Sequence, residues 1–472
     1  MKKNDTKVVI LGAGPGGYRA AFMAADLGLD VTLIDPEENP GGLCLYRGCI
    51  PSKALLHIAS VKNEAMKAEA WGMKFSEPEL NIEKIRQSKN SVVNKLTGGL
   101  GQLVSYRKIR YLRGYGRFKN SSQIIVSDNQ GKEETVDFDK AIIATGAMPV
   151  RLPVNQPESK LIMYSSNALE VEDIPGHLLI IGGGYIGLEM ATIYHSMGSK
   201  VSIVEMTADF MPGTDKDLVS VFKRSNKALF ESVSFETSVT EINEKNNKLE
   251  VGLKKKNGEE NKKEFDKVLI AIGHKPVTEN LGLEDTRVET DEKGFIKVNE
   301  QQKTSDENIF AIGDIAGNPM LAHKASHQGR VAAETIAGIN AAFDARAIPG
   351  VVYTDPEIAV CGLTERQARE KEMNISVTKF PWSASGRATT IGDNSGVTKL
   401  IIDNETERIL GAGIAGKNAG EMIAEMVHAI EMGALASDVA LTIHPHPTLT
   451  ETIMEAAELF YGHPVDVMPP AK

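Results

Sequence analysis

The 472-residue sequence predicts an α/β protein of several domains. Three observations support that class. One unit of strand, glycine-rich turn, helix and second strand occurs twice, the chain is too long for one compact core, and strands rich in β-branched residues fill its last third. The two copies read VVILGAGPGGYRAAFMAADLGLDVTLID and LLIIGGGYIGLEMATIYHSMGSKVSIVE. The repeat predicts two Rossmann-like units in one chain.

Each copy contains the spacing G-x-G-x-x-G and ends its second strand on an acid. The first glycine makes a tight turn, the second lets the backbone approach a pyrophosphate, and the third packs the helix on the strand. The acids, Asp35 and Glu205, are placed to accept hydrogen bonds from ribose hydroxyls. Because all four features fall at the expected spacing twice, two dinucleotide sites are predicted. Their glycines are Gly12, Gly14, Gly17, Gly182, Gly184 and Gly187.

The two sites are predicted to bind different cofactors. Glu205 would repel the 2′-phosphate of NADP, and no Arg or Lys lies between it and Lys216, so the second site favours NAD. The first site suits FAD, since a flavin exchanges electrons with a dithiol such as the cysteine pair that follows it. Asp314, at the end of NIFAIGD, is a candidate ligand of the flavin ribityl chain or simply a turn residue. Gly146 and Gly273, in AIIATGAMP and VLIAIGHKP, fit the ends of the two nucleotide units.

Cys44 and Cys49, in GGLCLYRGCIPSK, are separated by four residues. In a straight helix they would lie about 7.5 Å apart along the axis, whereas a disulfide needs Cα atoms within about 7 Å. A bend is therefore predicted at the glycine before Cys49, followed by a helix that starts just after Cys49 with Pro51 in its first turn. The helix N-terminus, Lys53 and Arg47 would lower the pKa of Cys49 and favour its thiolate. We interpret the pair as redox-active; the alternative is a structural bridge or two buried thiols.

Composition excludes several classes of partner. The net charge of −10 argues against nucleic acid or an anionic membrane as the main partner. No run of about 18 apolar residues is present to span a bilayer, and VVIL near the start is better interpreted as a buried strand than as a signal peptide. Three cysteines in so long a chain fit a reducing compartment. No metal site is predicted, because only Cys361 remains to complete a zinc centre.

The C-terminal third contains the segment TIHPHPTLTETIMEAAELF. Pro447 is interpreted as a helix start, which places His446 near the cap and Glu451 one turn further on. A carboxylate beside an imidazole fixes its tautomer and raises its basicity, as a thiol base requires. From these residues alone, helix capping and catalysis are equally supported for His446. Four further histidines, His323, His327, His428 and His444, are interpreted as surface or helix residues.

Along essentially its whole length the sequence resembles the flavoprotein disulfide reductases, and within them the enzymes that oxidise dihydrolipoamide. The motifs that match are GAGPGGY, GLCLYRGCIPSK, GGGYIGLE, IFAIGD, YTDPEIAVCG and HPHPTLTE. The resemblance implies an FAD-binding domain at 1–150, an NAD-binding domain at 151–275, a central domain completing the FAD site at 276–348, and an α+β dimerisation domain at 349–472. It also implies oxidation of dihydrolipoamide by a Cys44–Cys49 disulfide, with electrons passing through FAD to NAD.

The same resemblance assigns roles to individual residues. It implies that Cys44 is the thiol that exchanges with substrate and that Cys49 is the thiol next to the flavin. Lys53 would pair with Glu189 near the flavin. In a homodimer, His446 would act as the base in the partner subunit's active site, oriented by Glu451.

The family resemblance also implies a partner protein, and it shows three positions at which this sequence differs from many members. The implied partner is the lipoyl-bearing acyltransferase or carrier protein of a 2-oxo acid dehydrogenase or glycine cleavage complex, in a bacterial cytoplasm or an organellar matrix. Leu43 and Tyr46 stand where many members of the family have Thr and Asn, and Tyr185 where many have an aliphatic residue. The alternatives are a reductase of another disulfide (glutathione-like), a mercuric reductase, for which a C-terminal cysteine pair is missing, and a non-catalytic nucleotide-sensing flavoprotein.

Overall fold

The structure is a computed structural model that describes residues 6–468. Residues 1–5 and 469–472, the outer ends of the predicted first and last domains, lie outside the described residues. Three five-stranded sheets form the framework. Among residues 6–468, we find no helix that combines the length and the apolar character needed to cross a membrane.

The first sheet is entirely parallel, and all its strands except the edge strand Arg110–Arg113 are largely apolar and buried. The helix Pro15–Asp26 links the central strand to the next strand along the chain and packs against the helix Ala322–Ile336. In spatial order the strands are Ile309–Ala311, Lys140–Ile143, Lys7–Leu11, Asp30–Asp35 and Arg110–Arg113.

The second sheet repeats the first. Its helix Tyr185–Ser196 occupies the place of Pro15–Asp26, and all its strand pairs are parallel. In spatial order the strands are Ser232–Ser234, Lys200–Val204, His177–Ile181, Lys267–Ile270 and Ile162–Tyr164. Both units also carry a three-stranded antiparallel sheet, formed by Tyr115–Asn120, Gln123–Ser127 and Glu133–Asp137 in the first and by Thr237–Lys245, Lys248–Lys255 and Glu260–Phe265 in the second. The predicted internal repeat and α/β class are confirmed.

The third sheet is antiparallel and belongs to the C-terminal region. Its strands, in spatial order, are Gly350–Val352, Glu357–Gly362, Ile409–Gly416, Val397–Asp403 and Ile375–Pro381. The helices Ala419–Met432 and Glu451–Tyr461 pack against it. The remaining helices are Gly42–Arg47, Cys49–Lys67, Ile82–Tyr106, Ser165–Ala168, Lys216–Ser225, Glu365–Glu370, Gly386–Thr390 and Ala436–Ala440, with 3₁₀ turns at Ala68–Trp71, Leu283–Asp285, Gly313–Ala316 and Trp382–Ala384.

The segment predicted as a central domain joins the first unit. Its strand Ile309–Ala311 is hydrogen-bonded to Lys140–Ile143, and its helix Ala322–Ile336 lies on Pro15–Asp26. A two-stranded sheet, Ala147–Pro149 with His274–Pro276, connects the ends of the two nucleotide units. The predicted domain limits themselves stay a prediction.

A buried charge cluster joins the second unit to the C-terminal sheet. The Lys399 side chain is 2% exposed, and its Nζ lies 2.9 Å from Asp215, 3.0 Å from Asp217 and 2.8 Å from Glu365. Lys379 contributes a second ammonium, 2.7 Å from Asp217. The hydrogen bond from Lys399 holds the pKa of Glu365 below its ordinary value. Folding therefore gains stability from this carboxylate above its unfolded pKa and loses it as pH falls through the lower, folded pKa.

Lys399→Met should leave three carboxylates without their buried cation. Removing one partner of a buried pair typically costs about 3–5 kcal/mol, so we expect a markedly lower thermal midpoint at neutral pH. The difference in thermal midpoint between the variant and the unmodified protein should become smaller as pH falls below about 4.5, where the carboxylates become protonated. Lys297→Met is the control, since its side chain is 58% exposed beside Glu289. Equal midpoints for the two variants would contradict a stabilising role for the cluster.

Candidate active site

The two cysteines lie on consecutive helices that meet at a bend. Gly42–Arg47 contains Cys44, and Cys49–Lys67 begins at Cys49 itself, one residue earlier than predicted. Gly48 lies between them with φ −141° and ψ −113°, outside the helical region. A Cβ at Gly48 would lie 2.9 Å from the carbonyl oxygen of Leu43, so a side chain there would press on the first helix. The predicted bend is confirmed.

The pKa values of the two thiols are shifted in opposite directions. Both are free, and Cys49 is the exposed one. A hydrogen bond from the Cys44 thiol, aided by the charge of Lys53 and opposed by desolvation from the protein around the accessible sulfur, lowers the pKa of Cys49 to about 7. The same hydrogen bond, with burial, raises the pKa of Cys44 above its ordinary value. Of the two thiols, Cys49 is therefore the one whose surroundings favour the thiolate.

An ion pair stands beside this thiolate. Lys53 Nζ lies 3.0 Å and 2.9 Å from the two carboxylate oxygens of Glu189, whose side chain is 5% exposed. Lys53 is on the helix after Cys49, whereas Glu189 is on the helix of the second nucleotide unit. The pairing implied by the family resemblance is thus present in the structure, and it brings the two units together at the thiols.

Arg47 behaves differently from expectation. We predicted that it would help to lower the pKa of Cys49, but its guanidinium pairs with Glu37. Arg47 also lies over the ring of Tyr46, 5.9 Å from its centroid. The Tyr46 hydroxyl donates to the backbone oxygen of Asn39 at 3.0 Å. Tyr46 and Arg47 therefore attach the helix that carries Cys44 to the loop after the strand Asp30–Asp35. The sequence alone assigned Tyr46 no such contact.

One cavity of about 660 Å³ brings the thiols and the first glycine turn together. This is the size of a site for a large organic ligand. The predicted residues that line it are Gly12, Gly14, Asp35, Cys44, Cys49, Lys53, Gly146, Glu189 and Asp314, joined by Leu43 and Tyr185. The other predicted residues lie outside it: Gly17, Gly182, Gly184, Gly187, Glu205, Gly273, His446 and Glu451.

The glycine turns fit a dinucleotide. Gly12 has φ +95°, and a Cβ there would collide with the carbonyl oxygen of Ala144. At Gly14 the nearest atom to such a Cβ would be 3.9 Å away, and at Gly184 none lies within 4 Å. The second glycine of each turn thus leaves space beside the start of a helix, where a pyrophosphate would bind backbone N–H groups.

The two acids brace these turns. Asp35 accepts a hydrogen bond from the backbone N–H of Ala13 at 2.7 Å, and Glu205 accepts one from Gly183 at 2.6 Å. Asp35 also accepts the N–H of Glu37, and Glu205 also accepts the N–H and the hydroxyl of Thr207. Because a carboxylate has about four acceptor positions, about two remain on Asp35 and about one on Glu205 for ribose hydroxyls. Binding of ribose by Asp35 and Glu205 stays a prediction.

Asp314 lies in the 3₁₀ turn Gly313–Ala316 on the cavity wall. Burial raises the pKa of its carboxyl group, and the charge of Lys324 partly offsets this. Lys324 holds the turn in place by donating to the carbonyl oxygen of Gly317 at 2.6 Å. Sequence reasoning missed Lys324, because a lone lysine in a helix carries no local sign of such a role.

His446 lies in a loop and not at a helix start, so that expectation was wrong. The helix begins at Glu451 with Thr450 as its cap, since Pro447 starts a turn instead. The His446 side chain is 79% exposed, and its Nδ1 lies 2.8 Å from Oε1 of Glu451. The other oxygen of Glu451 accepts the backbone N–H of Thr448 at 2.7 Å. The loop therefore presents an oriented imidazole to the outside of the chain.

His444 also departs from expectation, since we interpreted it as a surface or helix residue. Its side chain is only 5% exposed and lies in the same loop. The ring contacts the backbone oxygen of Thr442 at 2.8 Å through Nδ1 and Glu425 at 2.9 Å through Nε2. His444 therefore anchors the loop of His446 to the helix Ala419–Met432.

Comparison with known proteins agrees with this geometry. Residues 6–329 match the pyridine nucleotide-disulphide oxidoreductase family, and residues 348–457 match its dimerisation domain. The chain belongs to this family of oxidoreductases. Members use FAD and NAD(H), so the predicted cofactors and enzyme class are confirmed. The dimerisation match fits the predicted homodimer.

Within the family, full-length relatives are dihydrolipoyl dehydrogenases. That of Vibrio cholerae is 47% identical, covering 100% of this chain and 98% of the relative. The enzyme of Haemophilus influenzae is 46% identical over the same shares of both chains. That of Thermus scotoductus is 44% identical, covering 99% of this chain and 100% of the relative.

Solved structures show the same fold. LpdA of Mycobacterium tuberculosis superimposes with a TM-score of 0.90 at 24% identity, covering 96% of this chain and 99% of that one. The HOCl-induced flavoprotein disulfide reductase RclA of Escherichia coli superimposes with a TM-score of 0.85 at 29% identity, covering 96% of this chain and 99% of that one.

Proposed function

We propose that this protein oxidises the dihydrolipoyl group of a carrier protein and passes the electrons to NAD. The observation that carries the proposal is the placement of Cys44 and Cys49 on consecutive helices at the wall of one cavity, next to the Lys53–Glu189 ion pair. The lowered pKa of Cys49 agrees with that placement. A pure nucleotide sensor needs no such pair. The relatives named dihydrolipoyl dehydrogenase support the choice of substrate.

The first half of the reaction is a thiol–disulfide exchange. In the oxidised enzyme, Cys44 and Cys49 form a disulfide. A substrate thiol loses its proton to His446 and attacks Sγ of Cys44, which forms a mixed disulfide and releases Cys49 as a thiolate. The second substrate thiol then attacks the substrate sulfur of the mixed disulfide, the bond from that sulfur to Cys44 breaks, and lipoamide leaves. The proton of this thiol passes to Cys44, so the enzyme retains both electrons as the Cys44 thiol and the Cys49 thiolate.

The base must reach these thiols from another copy of the chain. His446 is 79% exposed and is not among the residues lining the cavity of its own chain. A homodimer formed through the C-terminal domain would place the loop 442–450 of one subunit at the cavity of the other. Glu451 would hold the imidazole with Nε2 facing the substrate thiol.

In the second half the residues around the cavity would hold the cofactor and stabilise the charge of the Cys49 thiolate. FAD, when bound, supplies the two-electron chemistry that links the dithiol to NAD. Gly12, Gly14 and Asp35 would hold its adenosine and pyrophosphate end, and Asp314 its ribityl chain. Lys53 and Glu189 keep a neutral ion pair beside the thiolate, so that Cys49 remains charged without a net excess of positive charge.

The physiological partner follows from the substrate. We infer that the carrier is the lipoyl-bearing subunit of a 2-oxo acid dehydrogenase or glycine cleavage complex, and that the enzyme works in the cytoplasm or an organellar matrix. A steady-state assay of the holoenzyme tests the proposal. Dihydrolipoamide with NAD should turn over at least about a hundredfold more efficiently than glutathione disulfide with NADPH, a difference of roughly 2.7 kcal/mol. The reverse order would identify a glutathione-type reductase.

NAD should be preferred to NADP. Glu205 is buried and fixed by backbone N–H groups at 2.6 Å and 2.7 Å, so it cannot turn away from a 2′-phosphate. We expect kcat/KM for NAD to exceed that for NADP by at least about tenfold, or roughly 1.4 kcal/mol. Glu205→Gln should reduce the ratio, whereas Glu231→Gln, which removes a half-exposed carboxylate of the same unit, should not. Equal efficiencies with the unmodified protein would refute the assignment.

A further inference from the structure

Tyr353 begins the motif YTDPEIAVCG, to whose residues neither the family resemblance nor the reaction above gives a role. It follows the strand Gly350–Val352 of the C-terminal sheet. Its ring lies over Lys53, with Nζ 4.5 Å from the ring centroid. Its backbone N–H donates to Oε1 of Glu189 at 3.1 Å. One residue of the C-terminal domain thus contacts both members of the ion pair that joins the two nucleotide units.

Other contacts hold the segment 353–356 in place. Asn226 Nδ2 donates to the backbone oxygen of Asp355 at 2.7 Å. The Asp355 carboxylate pairs with Lys67 at 3.0 Å, at the far end of the helix that carries Lys53. The Thr354 hydroxyl donates to the Pro356 carbonyl at 2.7 Å. The segment is therefore anchored to both nucleotide units, and the ring of Tyr353 is fixed relative to Lys53.

The chemistry of the ring suits this contact. An ammonium within about 6 Å of an aromatic centroid is attracted by the negative face of the ring. Burial raises the pKa of Tyr353, so the side chain is a neutral phenol at working pH. Lys53 is the more exposed partner of the pair, with 33% of its side chain accessible against 5% for Glu189. It is therefore the member whose position a neighbouring ring can restrict.

We propose that Tyr353 is a positioning residue that holds Lys53 and Glu189 beside Cys49, so that the C-terminal domain sets the charge state of the thiol next to the flavin. Lys53 favours the Cys49 thiolate and Glu189 opposes it, so the balance depends on where the ammonium lies. Without the ring, Lys53 samples positions further from Cys49, and the thiolate loses part of its stabilisation. The inference rests on the proposed function only in naming Cys49 as the working thiolate.

The test measures Cys49 directly in holoenzyme carrying Cys44→Ser, which leaves one thiol of the pair. The pH dependence of the thiolate-to-flavin absorption band gives the titration midpoint of Cys49. The pH dependence of the rate at which iodoacetamide alkylates Cys49, with the site identified by mass spectrometry, gives the same midpoint without the band. Tyr353→Phe keeps the ring and should leave the midpoint unchanged. Tyr353→Leu should raise it by at least about 0.3 unit, a twofold loss of thiolate relative to thiol.

Two further sets of variants distinguish the effect of the Tyr353 ring on Lys53 from a general loss of order in the C-terminal domain. Fluorinated phenylalanines at position 353 keep the size of the ring while weakening its negative face, so the midpoint should rise with each added fluorine. In a Lys53→Met background, Tyr353→Leu should cause no additional shift, because the ring acts through Lys53. Tyr461→Leu, elsewhere in the same domain, should have no effect.

The outcomes distinguish this inference from the proposed function. Two results would overturn the role of Tyr353 while leaving the thiol chemistry intact. One is a titration midpoint of Cys49 that does not change with the residue at position 353, and the other is a shift by Tyr353→Leu that is equally large in the Lys53→Met background. Absence of the band in the Cys44→Ser parent would count against the proposed function. Alkylation rates would still decide the role of Tyr353 in that case.

Discussion

Cys44→Ser is expected to abolish turnover of dihydrolipoamide while the thiolate absorption band persists. The substrate thiol has no sulfur to attack at position 44, so no mixed disulfide can form. The serine hydroxyl can still donate a hydrogen bond to Cys49, and Lys53 remains nearby, so the thiolate is retained. Cys49→Ser should also stop turnover, but the band should be lost with the thiolate. Spectra and steady-state rates of the two variants measure both effects.

Cys361 provides the matched control for this pair. It is 3% exposed in the strand Glu357–Gly362, apart from the cavity. Cys361→Ala should keep both turnover and the absorption band, with at most a lower thermal midpoint. Near-normal dihydrolipoamide oxidation by Cys44→Ser would show that another group exchanges with the substrate.

The second large effect is expected at His446. His446→Gln should lower dihydrolipoamide oxidation by about 10² to 10⁴, as is typical when a general base is lost. Reduction of the flavin by NADH should be nearly unchanged, because that half of the reaction deprotonates no substrate thiol and therefore needs no base. Glu451→Gln should be milder, since its carboxylate orients the ring through a 2.8 Å contact and transfers no proton. His428→Gln, which changes an exposed histidine on the helix Ala419–Met432, is the control.

Mixing two inactive variants tests whether the site is shared between subunits. A dimer of one Cys44→Ser chain and one His446→Gln chain would contain one site with both defects and one with neither. Random reassortment makes about half of the dimers mixed, so a quarter of the sites should regain activity if each site uses the thiols of one chain and the base of the other. No recovery in verified mixed dimers would contradict the shared site, and so would full activity of an isolated monomer.

Much of the fold could be predicted from the sequence because it depends on patterns within short segments of the chain. The strand, glycine turn and helix of each nucleotide unit depend on neighbouring residues, and the two helices begin at equivalent positions, Pro15 and Tyr185. The bend between Cys44 and Cys49 also follows from a short segment. The loop of His446 was placed wrongly because proline at a helix start and proline in a turn have the same local pattern.

Contacts between distant parts of the chain could not be derived from residue patterns. Lys53 and Glu189 are 136 positions apart, and Glu189 and Tyr353 are 164 apart. The first pair was anticipated only through resemblance to a family, and the contact of Tyr353 was not anticipated at all. Arg47 was misjudged for the same reason, since its partner Glu37 belongs to a loop whose path depends on the tertiary fold.

Anaerobic stopped-flow mixing of the oxidised holoenzyme with dihydrolipoamide tests the central claim most directly, namely that a polarised thiol pair carries electrons from a dithiol to NAD. We predict rapid growth of a long-wavelength thiolate-to-flavin band, followed by stoichiometric NADH when NAD is added. An enzyme that forms neither the band nor NADH with dihydrolipoamide, yet is reduced normally by NADH, would contradict the claim and show that the thiols serve a different substrate.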